Sequence, residues 1–266
     1  MKNIAHYFYI ENREKEEKIF FMNDLHTKSL SDFIGFNLDE PAALNNKINN
    51  LEYQKYYELP FKNIQKISGK IVYPGILIGS GYPHPALEKA DEKDKSSGDY
   101  QLGFYFDHTT GMPVIPGSSV KGKIKSIFPK SDSDPYKENK LEYIGRMLGI
   151  NSNELKEFKK NWEEIFFGRK QVFFDAYISG APAKLFDEEF ITPHPGIFKN
   201  PKPLRFIKIV PGTEFTFQFL LSDYYGKGIK VSTEQIIKVF RSIIEDFGIG
   251  AKTSVGYGYF SDLKII

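Results

Sequence analysis

Cysteine is absent from this 266-residue chain, which excludes disulfides, thiolate-bound zinc and a cysteine nucleophile and fits a reducing compartment. Long apolar runs are lacking too. No stretch approaches membrane-spanning length, and Met1-Lys2-Asn3-Ile4-Ala5-His6 carries no signal-peptide hydrophobic segment. A cytoplasmic protein with no membrane partner is expected. Excess charge is also missing: the formal net charge is +2, too small for a general polyanion binder.

What is present points to a folded chain. The 41% apolar and 15% aromatic content suits one large or two modest domains with a filled core. Charge is unevenly placed. Thr109 to Ser131 holds no acid but has Lys121, Lys123, Lys125 and Lys130, and Phe190 to Thr213 holds no acid but has Lys199, Lys202, Arg205 and Lys208. Two acid-free basic segments predict a locally positive surface, although each alone could be an ordinary solvated face.

The most informative segment runs from Gly248 to Phe260. Gly248, Gly250, Gly256 and Gly258 allow positive φ and close backbone approach, while Lys252, Thr253 and Ser254 supply a cation and two hydroxyls. Ile236, Ile237, Phe240, Ile243, Ile244 and Phe247 recur at helical spacing before it, with Ser232 and Gln235 as a capping box and Gly248 as C-cap. A strand from Tyr259 to Ile266 should follow. A nucleotide P-loop is excluded, because its two glycine positions hold Asp246 and Ala251 and the order here is helix, loop, strand. Such a loop taken alone is more often a tight connection than an anion cradle.

A second segment, Ile115-Pro116-Gly117-Ser118-Ser119-Val120-Lys121-Gly122-Lys123-Ile124-Lys125, reads as a helix start. Ser118 is the expected N-cap, Val120, Ile124, Ile127 and Phe128 the buried stripe, and Pro129 the stop. Free N–H groups and hydroxyls at the positive end of that helix, with Lys121 in its first turn, suit a phosphate. A plain capped helix would look the same.

The remaining pattern predicts a helix-rich Glu11 to Tyr57, with Tyr53, Tyr56 and Tyr57 packing on the main domain, and a strand over Asn63 to Tyr73. A Gly-rich loop through Gly79-Ser80-Gly81 to Pro83-His84-Pro85 follows, then a mobile insertion over Glu88 to Asp99 and a strand over Leu102 to Phe106. Helices follow over Lys137 to Leu148 and Asn153 to Phe166, then a strand over Val172 to Ile178. Asp187 to Pro195, carrying His194, leads into a long Pro/Lys-rich loop over Gly196 to Arg205. Strands Phe206 to Val210 and Glu214 to Leu221 come next, and a turn at Tyr224 to Gly228. This order resembles a decorated α+β, ferredoxin-like domain.

As an ordered set, Gly79-Ser80-Gly81, Ile115 to Gly122 and Gly248 to Gly258 resemble the RAMP superfamily of CRISPR-associated proteins. Pro83-His84-Pro85-Ala86-Leu87-Glu88, Val172 to Ala176, Asp187 and Thr192-Pro193-His194 are similar to the sixth-subunit family of Cmr modules in type III-B effector complexes. The resemblance covers about residue 67 to the C-terminus. It implies a ferredoxin-like (RRM-like) RAMP domain over 63–266, with insertions near 88–100 and 131–168 and an N-terminal extension over 1–62. It implies a non-catalytic subunit that holds guide (CRISPR) RNA near its 3′ end, and the guide–target RNA duplex, through backbone contacts. Its neighbours would be other Cmr-type RAMP subunits, including a backbone subunit. The candidate RNA-binding residues are Gly79, Ser80, Gly81, His84, Gly117, Ser118, Ser119, Lys121, Lys123, Lys125, His194, Arg205, Gly250, Lys252, Thr253 and Ser254.

Backbone RAMPs cut target RNA with an aspartate after the first strand; here Asp91, Asp94 and Asp99 lack a matching motif, and the activity is not transferred. The alternative is a metal-independent, guide-processing endoribonuclease using His84 or His194, for which the sequence offers no companion base. His84, His194, Asp175 and Asp187 lack metal-ligand spacing, so neither metal nor cofactor is expected. A protein-interaction scaffold without an RNA role is the third reading.

Overall fold

Phe215, Phe217 and Phe219 alternate along one strand and are all fully buried, so they fix which side of the sheet meets the helices. The structure, a computed structural model, describes residues 55, 57–79, 83–85, 99–107, 110, 112–182, 185–191, 204–226 and 228–266. The helices expected over Glu11 to Tyr57 and the insertion over Glu88 to Asp99 lie almost wholly outside those residues.

The first strands are β1 (Ile64–Ile71), β2 (Pro83–Pro85), β3 (Asp99–Leu102), β4 (Tyr105–Phe106) and β5 (Pro113–Ile115). Helices α1 (Gly117–Ile127), α2 (Lys137–Leu148) and α3 (Ser152–Phe167) follow. Then come β6 (Val172–Phe173), β7 (Ala176–Gly180), β8 (Phe186–Ile191), β9 (Leu204–Ile209), β10 (Glu214–Leu220), β11 (Tyr224–Gly226) and β12 (Ile229–Val231). Helix α4 (Thr233–Phe247), a 3-10 turn (Thr253–Val255) and β13 (Phe260–Ile265) end the chain. This is a mixed α+β architecture.

A seven-stranded sheet carries the order β13-β1-β10-β7-β5-β4, with β6 also paired to β10. Its central pairs are antiparallel, with Ile67 opposite Phe217 on β10 and opposite Ile265 on β13. On the helix side Phe219 and Phe240 lie 5.3 Å apart between ring centres, and Phe217 and Phe260 5.4 Å. Helix α4 forms because its apolar stripe is continuous and its start is closed by the expected Ser232–Gln235 capping box. Such a stripe loses about 3–5 kcal/mol when a buried phenylalanine becomes alanine.

The other face is polar but covered at its centre. Thr216 and Gln218 are buried, Tyr57 stacks on Tyr177 at 4.4 Å, and the Gln218 amide donates to the Tyr57 carbonyl at 3.0 Å. Tyr57 therefore packs on the main domain as expected.

Four expectations need correction. Helix α1 starts at Gly117 with Pro116 as N-cap, so Ser118 lies inside the first turn and caps nothing. The strand expected over Val172 to Ile178 is broken at Phe174 and Asp175. Tyr224 to Gly226, expected in a turn, is strand β11 and pairs with Ile229 to Val231 of β12. Asp187 to Ile191, expected only as the lead into a loop, belongs to β8 in a second sheet ordered β2-β3-β9-β8. That acidic stretch is tolerated because Lys208 of β9 pairs with Glu189 at 2.7 Å.

Candidate nucleic-acid interface

Helix α4 stops where Gly248 takes φ 62°, and the chain then makes a narrow-necked loop. The Ile249 N–H donates to the Gly258 carbonyl at 2.8 Å across the neck. A Cβ on Gly258 would stand 1.9 Å from the Ile249 carbonyl oxygen, so the neck closes only with glycine there.

The loop is stitched to the connection that follows β1. The Gly258 N–H donates to the Gly75 carbonyl at 2.9 Å, and the Ala251 N–H to the Leu77 carbonyl at 2.6 Å. A Cβ on Gly250 would meet that same Leu77 oxygen at 2.3 Å. Close approach of backbone to backbone is what the glycines supply. At the tip, Lys252 adopts φ 58° and is exposed, Thr253 is half-buried and Ser254 exposed.

Helix α1 reaches the same place. The Lys123 ammonium donates to Thr253 Oγ1 at 3.2 Å, bringing the second and third motifs together. Burial pushes the Lys123 pKa below the ordinary lysine range, and its hydroxyl partner carries no charge. An anion arriving here would favour the charged form again.

Other predicted residues separate. Helical spacing puts Lys121 and Lys125 on one face and Lys123 on the opposite one. Lys121 Nζ lies 5.6 Å from the Phe173 ring centre, while Lys125 pairs with Glu163 at 2.8 Å and lies 5.7 Å from the Phe167 ring. The start of α1 is already met by an anionic group: the Gly117 N–H donates to Asp175 Oδ1 at 2.7 Å. A Cβ on Gly117 would stand 2.4 Å from the Phe173 carbonyl oxygen, so that helix end is pressed against the β6–β7 bend. Ser118 is exposed and Ser119 half-buried there. Gly79 ends the described part of the first loop, and Tyr105 Oη lies 2.9 Å from where its Cβ would be. Ser80, Gly81 and His194 lie outside the described residues, as do the side chains of His84 in β2 and Arg205 in β9.

Behind the loop lies a contact the sequence reading missed. Glu189, paired to Lys208, also accepts a hydrogen bond from Tyr257. Burial pushes the Glu189 carboxyl up, but Lys208 and Tyr257 outweigh it and hold it below the ordinary range. Tyr257 is buried beside Leu77 and Phe206 and fills space. No sequence signal pointed to it, because Lys208 and Tyr257 reach Glu189 from other parts of the chain. Asp175 stands in the Val172 to Ala176 motif and lacks metal-ligand spacing, but nothing in the sequence hints that it faces Gly117. Among the described residues no group of three His, Cys, Asp or Glu could hold a metal, and no helix is long and apolar enough to cross a membrane.

A profile of the RAMP superfamily matches residues 69–261, a range that includes the β1–β2 connection, α1 and the glycine loop. The chain belongs to the RAMP superfamily. This RAMP chain is 30% identical over 177 residues to the CRISPR system CMR subunit Cmr6 of Saccharolobus solfataricus, a match over 62% of this chain and 50% of the relative. It thus spans about half the length of that curated relative. Among solved structures, the RAMP chain is similar to one in the type III-B Cmr-beta complex bound to cognate target RNA. That match is 21% identical, covers 93% of this chain and 80% of the other, and has a TM-score of 0.47. Another similar structure is Cmr6 from Pyrococcus furiosus, 18% identical over 75% of this chain and 98% of the other, with a TM-score of 0.42.

Proposed function

We propose that this RAMP protein is a non-catalytic, cytoplasmic subunit of a type III-B CRISPR effector complex. It holds guide RNA near the 3′ end, and the guide–target duplex, by the backbone, in antiviral defence. The observation that carries this reading is the contact of Lys123 with Thr253, separated by 130 residues. It gathers a cation from α1 and hydroxyls and Lys252 from the glycine loop on one surface. Ammonium, hydroxyl and N–H groups recognise phosphates and 2′-hydroxyls without reading bases. Family membership and the Cmr6 relative supply the setting.

The domain at work is a ferredoxin-like one over 63–266, with 1–62 as an extension and insertions near 88–100 and 131–168. The succession β1, α1, β7, β10, α4, β13 and the sheet order β13-β1-β10-β7 support that assignment. Neighbouring Cmr-type RAMP subunits, a backbone subunit among them, are the expected protein partners. Affinity purification of the tagged chain from its native host tests the reading. Co-recovery of other Cmr-type subunits with repeat-derived guide RNA is the expected result; a lone protein, or one carrying only uncut guide precursor, would sink it.

A further inference from the structure

Tyr73 is 85% exposed. A scattered exposed tyrosine is ordinary, but this one is held firmly and stands in particular company. The Gly75 N–H donates to the Val72 carbonyl at 2.9 Å and closes a tight turn with Tyr73 at its tip. Both sides of that turn are tied to the glycine loop. Val72 N–H donates to the Tyr259 carbonyl at 3.0 Å, and the Gly75 carbonyl accepts from Gly258 N–H at 2.9 Å. Pro74 Cδ comes within 3.7 Å of where a Cβ on Gly256 would sit. The turn therefore abuts the loop that presents Lys252, Ser254 and the 66%-exposed Val255. Burial, then Glu189, then Tyr73 push the Tyr257 phenol up.

The two tyrosines have opposite fates. Tyr257 is packed away, whereas Tyr73 exposes its ring on a braced turn that abuts the loop carrying Lys252, Thr253 and Ser254. Exposed aromatic faces beside a backbone-holding groove are how proteins grip unpaired nucleotides. We infer that Tyr73 is a stacking platform for an unpaired nucleobase of the RNA strand whose backbone the glycine loop holds. The inference rests on the RNA-holding function proposed above and adds single-strandedness at this point of the site.

The test uses the full chain, a fluorescein-labelled single-stranded oligoribonucleotide and an abasic strand of the same length, each titrated at several salt concentrations. Tyr73→Ala should bind the ordinary strand about tenfold more weakly. Its salt slope should match that of the wild type, because no phosphate contact is lost. Tyr73→Phe and Tyr73→Trp should retain wild-type affinity. The wild type should lose the same factor on the abasic strand, on which Tyr73→Ala should lose nothing further. An unchanged thermal midpoint for Tyr73→Ala would exclude unfolding as the cause. Equal affinities of Tyr73→Ala and wild type for the ordinary strand, with Lys252→Ala still weakened, would overturn the platform and leave RNA holding intact. Wild-type protein that binds neither strand would overturn both.

Discussion

The start of α1 and the loop after α4 both offer donors to an anion, and the molecule uses them differently. At α1 the Gly117 N–H is satisfied by the chain's own Asp175 carboxylate at 2.7 Å. At the loop, Lys123 donates to the neutral Thr253 hydroxyl and to no carboxylate among the described residues, and Lys252 stays exposed at a glycine-bounded tip. A helix N-terminus attracts anions generally, but an internal carboxylate can consume that attraction to fasten two elements together. The difference teaches that an anion site requires donors left open, and openness is a property of the assembled fold.

The largest blow to the comparison should come from Gly258→Ala, which forces a side chain onto the Ile249 carbonyl and strains a residue at φ 74°. Destabilisation on the order of 2–4 kcal/mol is expected, read as a lower denaturant midpoint, together with loss of RNA binding. Asp175→Ala removes the partner of Gly117 and should cost about 1 kcal/mol, as loss of a helix cap does. RNA affinity should hold or rise in that variant; a fall would mean that Asp175 assists binding rather than competing with it.

Glu189→Gln probes the support behind the loop. The Glu189 carboxyl is held below its unfolded value, so its contribution is present above about pH 4.3 and is lost as pH falls through the lower folded value. The variant should be less stable at neutral pH, and its stability should fall less steeply in acid, followed by thermal unfolding from pH 7 to pH 3. Smallest of all is Lys125→Ala. It breaks an exposed pair with Glu163, should cost under about 0.5 kcal/mol, and should leave RNA affinity unchanged, in contrast to Lys123.

Much of the fold could be read from side-chain periodicity. The Phe215, Phe217, Phe219 alternation and the Ser232-to-Gly248 helix, with both caps, stand where the pattern put them. What escaped depends on pairing across the chain. The acids of β8 gave no strand signal because Lys208, which neutralises Glu189, arrives from another strand. Of the candidate site, the glycine loop was legible, since close backbone approach demands Gly250 and Gly258, but the β1–β2 connection it approaches was not. Composition grouped Lys121, Lys123 and Lys125 together, whereas one helical turn sends them to different partners. Tyr73 was read only as the end of β1, because exposure leaves no trace in sequence.

The most direct measurement is the salt dependence of single-stranded RNA binding by the full chain and by Lys123→Met, Lys252→Ala and their combination. If these two ammonium groups hold phosphates on one surface, each single variant should flatten the slope of log affinity against log salt by about one unit and the pair by about two. Slopes identical to wild type in all three variants would contradict a shared RNA-holding surface at the glycine loop.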